Sequence, residues 1–150
     1  MANTYTSLHY HFVFSTKNRE PWLRPDAQDR VWAYLGGIAR ENKLTPLLIG
    51  GMEDHVHMLV GMTPTISVSE ALKQIKGGSS MWLKEHLPSF AGFAWQDGYG
   101  AFTVSKSQEP VVIDYISRQR EHHRIKTFPE EYRELLVRHS IKFDERYLLD

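Results

Sequence analysis

Two histidines one residue apart, His55-Val56-His57, and a tyrosine and glutamine four apart, Tyr115 and Gln119, are the side chains of this chain best suited to chemistry. In a β-strand side chains alternate faces. His55 and His57 then project two imidazoles from one side, while Val56, Met58 and Val60 project from the other. In a helix residues four apart share a face, which stacks Tyr115 above Gln119. Two imidazoles and an amide oxygen can hold a metal, and a tyrosine beside that metal can attack a phosphate. The combination points to nucleic-acid strand transfer through a phosphotyrosine.

Each of these residues also has a plainer reading. The chain holds eight histidines, and His9-Tyr10-His11 is a second triplet of the same form, which reads as structural or peripheral, or as approaching the same face. Tyr115 sits among Val112, Ile113 and Ile116, as a core aromatic would. Its phenol has a reference pKa of about 10, so about one in a thousand is ionised at neutral pH. Nearby cations must help overcome that deficit of about 4 kcal/mol, with a metal and Arg118 or Arg120 as candidates. Imidazole-rich ligand sets by themselves favour zinc, manganese or nickel over magnesium. His122 and His123 follow Tyr115 at seven and eight residues and read as exposed or structural. Two H-x-H triplets also suggest a two-histidine phosphoesterase. That class needs Ser or Thr two residues after each histidine, whereas His11 and Val13 follow in one triplet and His57 and Leu59 in the other.

The elements that must position these groups can be read from periodicity. Tyr5 to Thr16 alternates as a strand does, and residues 26–42 repeat apolar groups at Ala27, Val31, Leu35 and Ile38 as an amphipathic helix after Pro25. Leu47–Met52 and His55–Met62 read as a strand pair around Glu53-Asp54. Ser67-Val68-Ser69-Glu70 is a capping box, followed by Leu72, Ile75, Ser79 and Leu83 at helical spacing. Phe93 to Val104 is strand-like around a turn signal at Asp97-Gly98. Ser107 is positioned to cap a third helix, with Pro110 in its first turn, and a short helix spans about Pro129 to His139. The order β-α-β-β-α-β predicts an α+β, ferredoxin-like (RRM-like) fold: a four-stranded antiparallel sheet backed by two helices. Extra C-terminal helices follow, the first carrying Tyr115 on a free face. Lys76-Gly77-Gly78-Ser79-Ser80 puts two glycines inside a helix, which either a DNA backbone or tight packing on the sheet would explain.

These segments together resemble a known family. Gly50-Gly51-Met52-Glu53-Asp54-His55-Val56-His57-Met58-Leu59-Val60, Gly98-Tyr99-Gly100-Ala101-Phe102 and Tyr115-Ile116-x-x-Gln119-x-x-His122-His123 are similar to the single-tyrosine HUH transposases of the smallest bacterial insertion sequences, the IS200-like transposases. The opening His9–Lys17 and the stretch Leu72–Leu83 fit the same family, and the resemblance covers about residues 5–135. It implies Tyr115 as nucleophile and His55, His57 and Gln119 as ligands of magnesium or manganese, with substrate oxygens completing the shell. It implies a DNA transposase that cuts and rejoins single-stranded DNA through a 5′-phosphotyrosine and recognises hairpins at element ends. It also implies a homodimer whose tyrosine helix completes the partner's site in trans, with the polar Ser105–Pro110 segment as hinge and a shared strand within Phe93–Val104. The alternative is a domesticated or inactive single-strand-binding relative of the same fold.

Composition is compatible with this and narrows the setting. At 150 residues the chain is expected to be one domain (1–150), with its core at 5–135 and a tail to 150. No apolar run approaches the roughly 18 residues that span a bilayer, and no secretory signal opens the chain. There is no cysteine, hence no disulfide and no thiolate site, so a bacterial cytoplasmic protein acting at the nucleoid is expected, with no membrane partner. Eighteen basic residues balance eighteen acidic ones. Any DNA contact must therefore come from local clusters: Arg118 and Arg120 near the tyrosine, with Lys17, Arg19, Lys73 and Lys76 elsewhere.

Overall fold

The computed structural model describes residues 2–150. Four strands form one antiparallel sheet: β1 (His9–Ser15), β2 (Thr45–Gly51), β3 (His55–Gly61) and β4 (Gly100–Thr103), in the order β2-β3-β1-β4. Two helices, α1 (Pro25–Glu41) and α2 (Val68–His86), make the crossovers. This is the expected βαββαβ ferredoxin-like arrangement. Three further helices follow: α3 (Glu109–Ser117), α4 (Gln119–His122) and α5 (Phe128–Arg138). Among the described residues no helix is long and apolar enough to cross a membrane.

Strand alternation divides the molecule into two layers. Phe12 and Phe14 of β1 and Val56, Met58 and Val60 of β3 join Val31, Leu35, Leu72 and Ile75 of α1 and α2 in the main core. Pro25 opens α1 at its first turn, where the missing N–H costs nothing. Ser67 caps α2 by accepting the Glu70 N–H at 3.1 Å, as the capping box predicts. Within α2, a Cβ on Gly78 would lie 3.1 Å from Ile38 Cδ1 of α1, so this glycine serves close helix packing.

The opposite sheet face is covered by the C-terminal helices. Val13 and Phe102 pack with Phe128, Tyr132, Leu135 and Leu136 of α5, and Leu59 and Val104 pack with Ile116 of α3. α3 can settle onto the sheet because β2 has no side chain at the crossing: a Cβ on Gly50 would meet Ile116 Cγ2 at 3.0 Å and its carbonyl oxygen at 3.2 Å.

Several expectations differ in detail. Only Gly100–Thr103 of the Phe93–Val104 segment joins the sheet, with Trp95 forming an isolated bridge to Thr16. Between them Gln96 N–H donates to the Ser15 carbonyl at 2.9 Å while its side chain, in place of its carbonyl, accepts the Ser15 N–H at 2.7 Å, and Gly98 N–H donates to the Asp150 carbonyl at 2.8 Å. Ser107 does not cap α3. It lies in a short 3-10 turn, Lys106–Gln108, and Gln108 occupies the cap position without a side-chain hydrogen bond. The proposed hinge is anchored, since Glu109 is buried against His9 and accepts from Lys106 Nζ at 2.8 Å.

Candidate active site and metal centre

β3 places His55 and His57 fully buried on the face beneath α3, α4 and α5. Direct antiparallel partners share a face, so Ser15 opposite His55, Val13 opposite His57 and His11 opposite Leu59 lie on that side. His11 Nε2 is 2.8 Å from His57 Nδ1, and Asp54 Oδ1 is 2.7 Å from His55 Nδ1. Around a bound metal, Asp54 and His11 would accept the Nδ1 protons and leave each Nε2 as a lone pair, whereas without one His57 Nε2–H donates to Glu131. Burial, with the neighbouring His57, keeps His11 well below the usual imidazole range, so it remains a neutral acceptor. Burial also lowers His57, partly offset by Glu131.

Two oxygens meet these nitrogens. Gln119 Oε1 is 2.8 Å from His55 Nε2, and Glu131 Oε1 is 3.1 Å from His57 Nε2 and 3.4 Å from His55 Nε2. Two ring nitrogens and two oxygens facing one another at such distances could hold a cation among them. Ligands held at about 2.1 Å around an octahedral ion stand about 3 Å from their cis neighbours, so the spacing fits a divalent metal. His55, His57 and Glu131 are all buried and their ligand atoms lie within 4.8 Å of one another. A carboxylate beside two imidazoles adds a second hard oxygen and the negative charge that two histidines and an amide lack.

Tyr115 closes the site in the same chain. Its hydroxyl donates to Glu131 Oε2, which also receives Gln119 Nε2–H at 3.1 Å, and its ring lies 5.7 Å from that of His57. The free face expected for Tyr115 is thus corrected: the ring is turned between sheet and α5, because Ile116 beside it is drawn into the apolar contact with Leu59. The stacked i, i+4 pair is corrected as well. The helix breaks at Arg118 (φ −110°, ψ 30°), so the two do not stack along one helix; Gln119 begins α4, reaches His55 with its oxygen, and meets Tyr115 at Glu131 Oε2. Burial, then the charge of Glu131, pushes the Tyr115 phenol well above its ordinary value. Burial would raise the Glu131 carboxyl, but hydrogen bonds from His123 and His57 overcome this and hold it well below the usual carboxylate range. His123 donates Nδ1–H to the Lys126 carbonyl at 2.8 Å and sets Nε2 3.2 Å from Glu131 Oε1. Its pKa is raised by Glu131 against the opposing effect of burial.

Glu131 is the functional side chain that pattern reading missed. Its signal was present: Phe128, Tyr132, Leu135 and Leu136 form the buried stripe of α5, and Glu131 is an acid inside that stripe. The basic residues fall elsewhere. Arg118 pairs with Asp114 at 3.4 Å and Glu121 at 2.8 Å, and Arg120 with Glu53 at 2.9 Å. Lys76 donates to the Asp97 and Gly98 carbonyls at 3.1 and 2.7 Å, and burial lowers its pKa to about 8. Lys73 and Lys76 are on α2, across the sheet from the site; Lys17 and Arg19 lie in the turn after β1, Lys17 with Asp97 at 3.9 Å. Trp95 and Phe102 are core residues, and Tyr99 is partly exposed beside Lys76.

The chain belongs to the IS200-like transposase family, whose model matches residues 4–119. It is 31% identical over 121 residues to the ISDra2 transposase TnpA of Deinococcus radiodurans, covering 76% of this chain and 85% of that protein. It is 29% identical over 126 residues to the IS200 transposase of Salmonella typhimurium, covering 81% and 82%. Among solved structures, a candidate transposase from Deinococcus radiodurans superposes with a TM-score of 0.66 at 28% identity, over 79% of this chain and 95% of that one. A REP-associated tyrosine transposase bound to a REP hairpin shares the fold, with a TM-score of 0.60 at 14% identity, over 82% and 73%.

Proposed function

We propose that this transposase cleaves and rejoins single-stranded DNA with Tyr115 as nucleophile. The observation that carries the reading is the convergence, within one chain, of the Tyr115 hydroxyl, the His55 and His57 Nε2 atoms and the Gln119 amide on Glu131. Tyr115 Oη attacks the scissile phosphorus, the new O–P bond replaces the bond to the 3′ oxygen, and a 5′-phosphotyrosine and a free 3′-OH result. Glu131 Oε2 is placed to accept the phenolic proton, and the departing oxygen takes up one in turn. Because one phosphoester replaces another, rejoining needs no external energy source.

His55, His57 and Gln119, together with Glu131, are the residues that would hold magnesium or manganese. The ion would supply Lewis-acid polarisation of the phosphate. The chain's own contribution is to orient the lone pairs, through Asp54 and His11, and to keep the phenol at the carboxylate. Hairpin DNA is the proposed partner, by likeness to the hairpin-bound member of the fold. The homodimer remains a proposal. Completion of the site in trans stays part of that proposal, and the Tyr115 ring, 5.7 Å from that of His57 in the same chain, supports a cis arrangement as the second reading. Incubation with labelled single strands from the flanks of its own gene, with manganese, tests this. A covalent adduct lost in Tyr115→Phe supports the reading. Binding without an adduct would instead make the chain a strand-binding relative.

A further inference from the structure

Two openings share the Tyr115 side chain as a wall. The larger, about 430 Å³, lies between β4, α3 and α5 and is lined by Phe102, Val111, Val112, Leu135, Arg138 and His139 among others. The smaller, about 190 Å³, includes Glu131, Glu134, Lys126 and again Arg138. Arg138 therefore stands at both openings, beside the nucleophile. It is also the uncommitted cation there. Lys126 is paired with Glu134 at 2.6 Å, and Arg118, Arg120 and Arg133 each have a carboxylate partner, whereas Arg138 has none among the described residues.

We infer that the larger pocket takes the base of the nucleotide adjoining the phosphate at Tyr115, and that Arg138 holds that phosphate. The assignment rests on the strand-cleaving reading above. A strand that brings a phosphate to Tyr115 must place the adjoining nucleoside to one side of the ring. The smaller opening, at about 190 Å³, falls below the roughly 300 Å³ at which small-molecule sites begin, and its Glu131 already serves the phosphate itself. The larger side is mainly apolar, lies within the roughly 300–1,000 Å³ range of small-molecule sites, and has Gln108 and Ser105 for base edges. His139 stacks on Phe102 with ring centres 4.3 Å apart, which adds a flat π surface of the kind that receives unstacked bases. An unpaired guanidinium at the mouth suits a phosphate oxygen pair.

The test is a methyl NMR titration of the intact protein with each of the four deoxynucleoside 5′-monophosphates at millimolar concentration. Shifts at the Val112 and Leu135 methyls are expected, with affinity falling at least about tenfold in Arg138→Ala. Val111→Trp, at an exposed position on the pocket wall, should abolish them without unfolding. Absence of shifts at these methyls, or equal affinity in Arg138→Ala, would overturn the assignment. A second arm uses a strand whose cut position has been mapped, carrying an abasic residue on either side of the cut. Slower adduct formation from one such strand supports the pocket, and undiminished adduct from both overturns it. Methyl shifts with no adduct from any strand would instead refute strand cleavage and leave a nucleotide site.

Discussion

Replacing Glu131 by Gln keeps the shape of the side chain and removes its charge. In the protein that charge faces Nε2 of His57 at 3.1 Å, Nε2 of His123 at 3.2 Å and the Tyr115 hydroxyl, all buried or half-buried. Removing one partner of a buried charged cluster costs about 3–5 kcal/mol. For a chain of this length each kcal/mol moves the melting temperature by about 2–4 °C, so Glu131→Gln should melt about 6–20 °C below the wild type in EDTA. The pH dependence follows from the two shifts. Glu131 has a lowered folded pKa, so its contribution is present above its unfolded value of about 4.3 and is lost as pH falls below that. His123 has a raised folded pKa, so its contribution is complete below about 6.5 and is lost as pH rises through the folded value. The gap between wild type and variant should therefore be widest between about pH 5 and 6.5 and narrow on both sides. Melting followed by circular dichroism across this range is the assay. A gap under about 3 °C, or one independent of pH, would refute the reading of Glu131 as the charge that organises the site.

Tyr115→Phe should remove strand cleavage while leaving strand binding intact, at a stability cost of about 1 kcal/mol for one hydrogen bond, measured by adduct gels and melting together. His57→Ala should bind manganese at least about tenfold more weakly in calorimetry, and added manganese should restore EDTA-treated wild type but not the variant; restoration by zinc alone would count against a hard-metal site. Gly50→Val drives a side chain into Ile116 and should displace the tyrosine, cutting adduct formation more than it lowers the melting temperature. Mixing His57→Ala with Tyr115→Phe chains should regenerate one working site per heterodimer if the sites assemble in trans; no recovery after verified subunit exchange would show that the tyrosine acts in cis.

The layers of this protein were legible in its sequence because strand alternation is a local property. His55 and His57 had to share a face once Val56, Met58 and Val60 entered the core, and the capping box at Ser67 marked the start of α2. The glutamine and tyrosine were legible as types, but their geometry was not. Whether a helix continues past Arg118 depends on where Gln119 finds its partner, and that partner, His55, is 64 residues away. Likewise Phe93–Val104 has the composition of one strand, yet Gln96 and Gly98 are claimed by Ser15 and Asp150. Glu131 shows the limit most clearly. Its place in an apolar stripe can be read from α5 alone, but what makes a buried carboxylate tolerable is the set of donors on β3, α3 and the 123 turn, which only the tertiary structure brings to it.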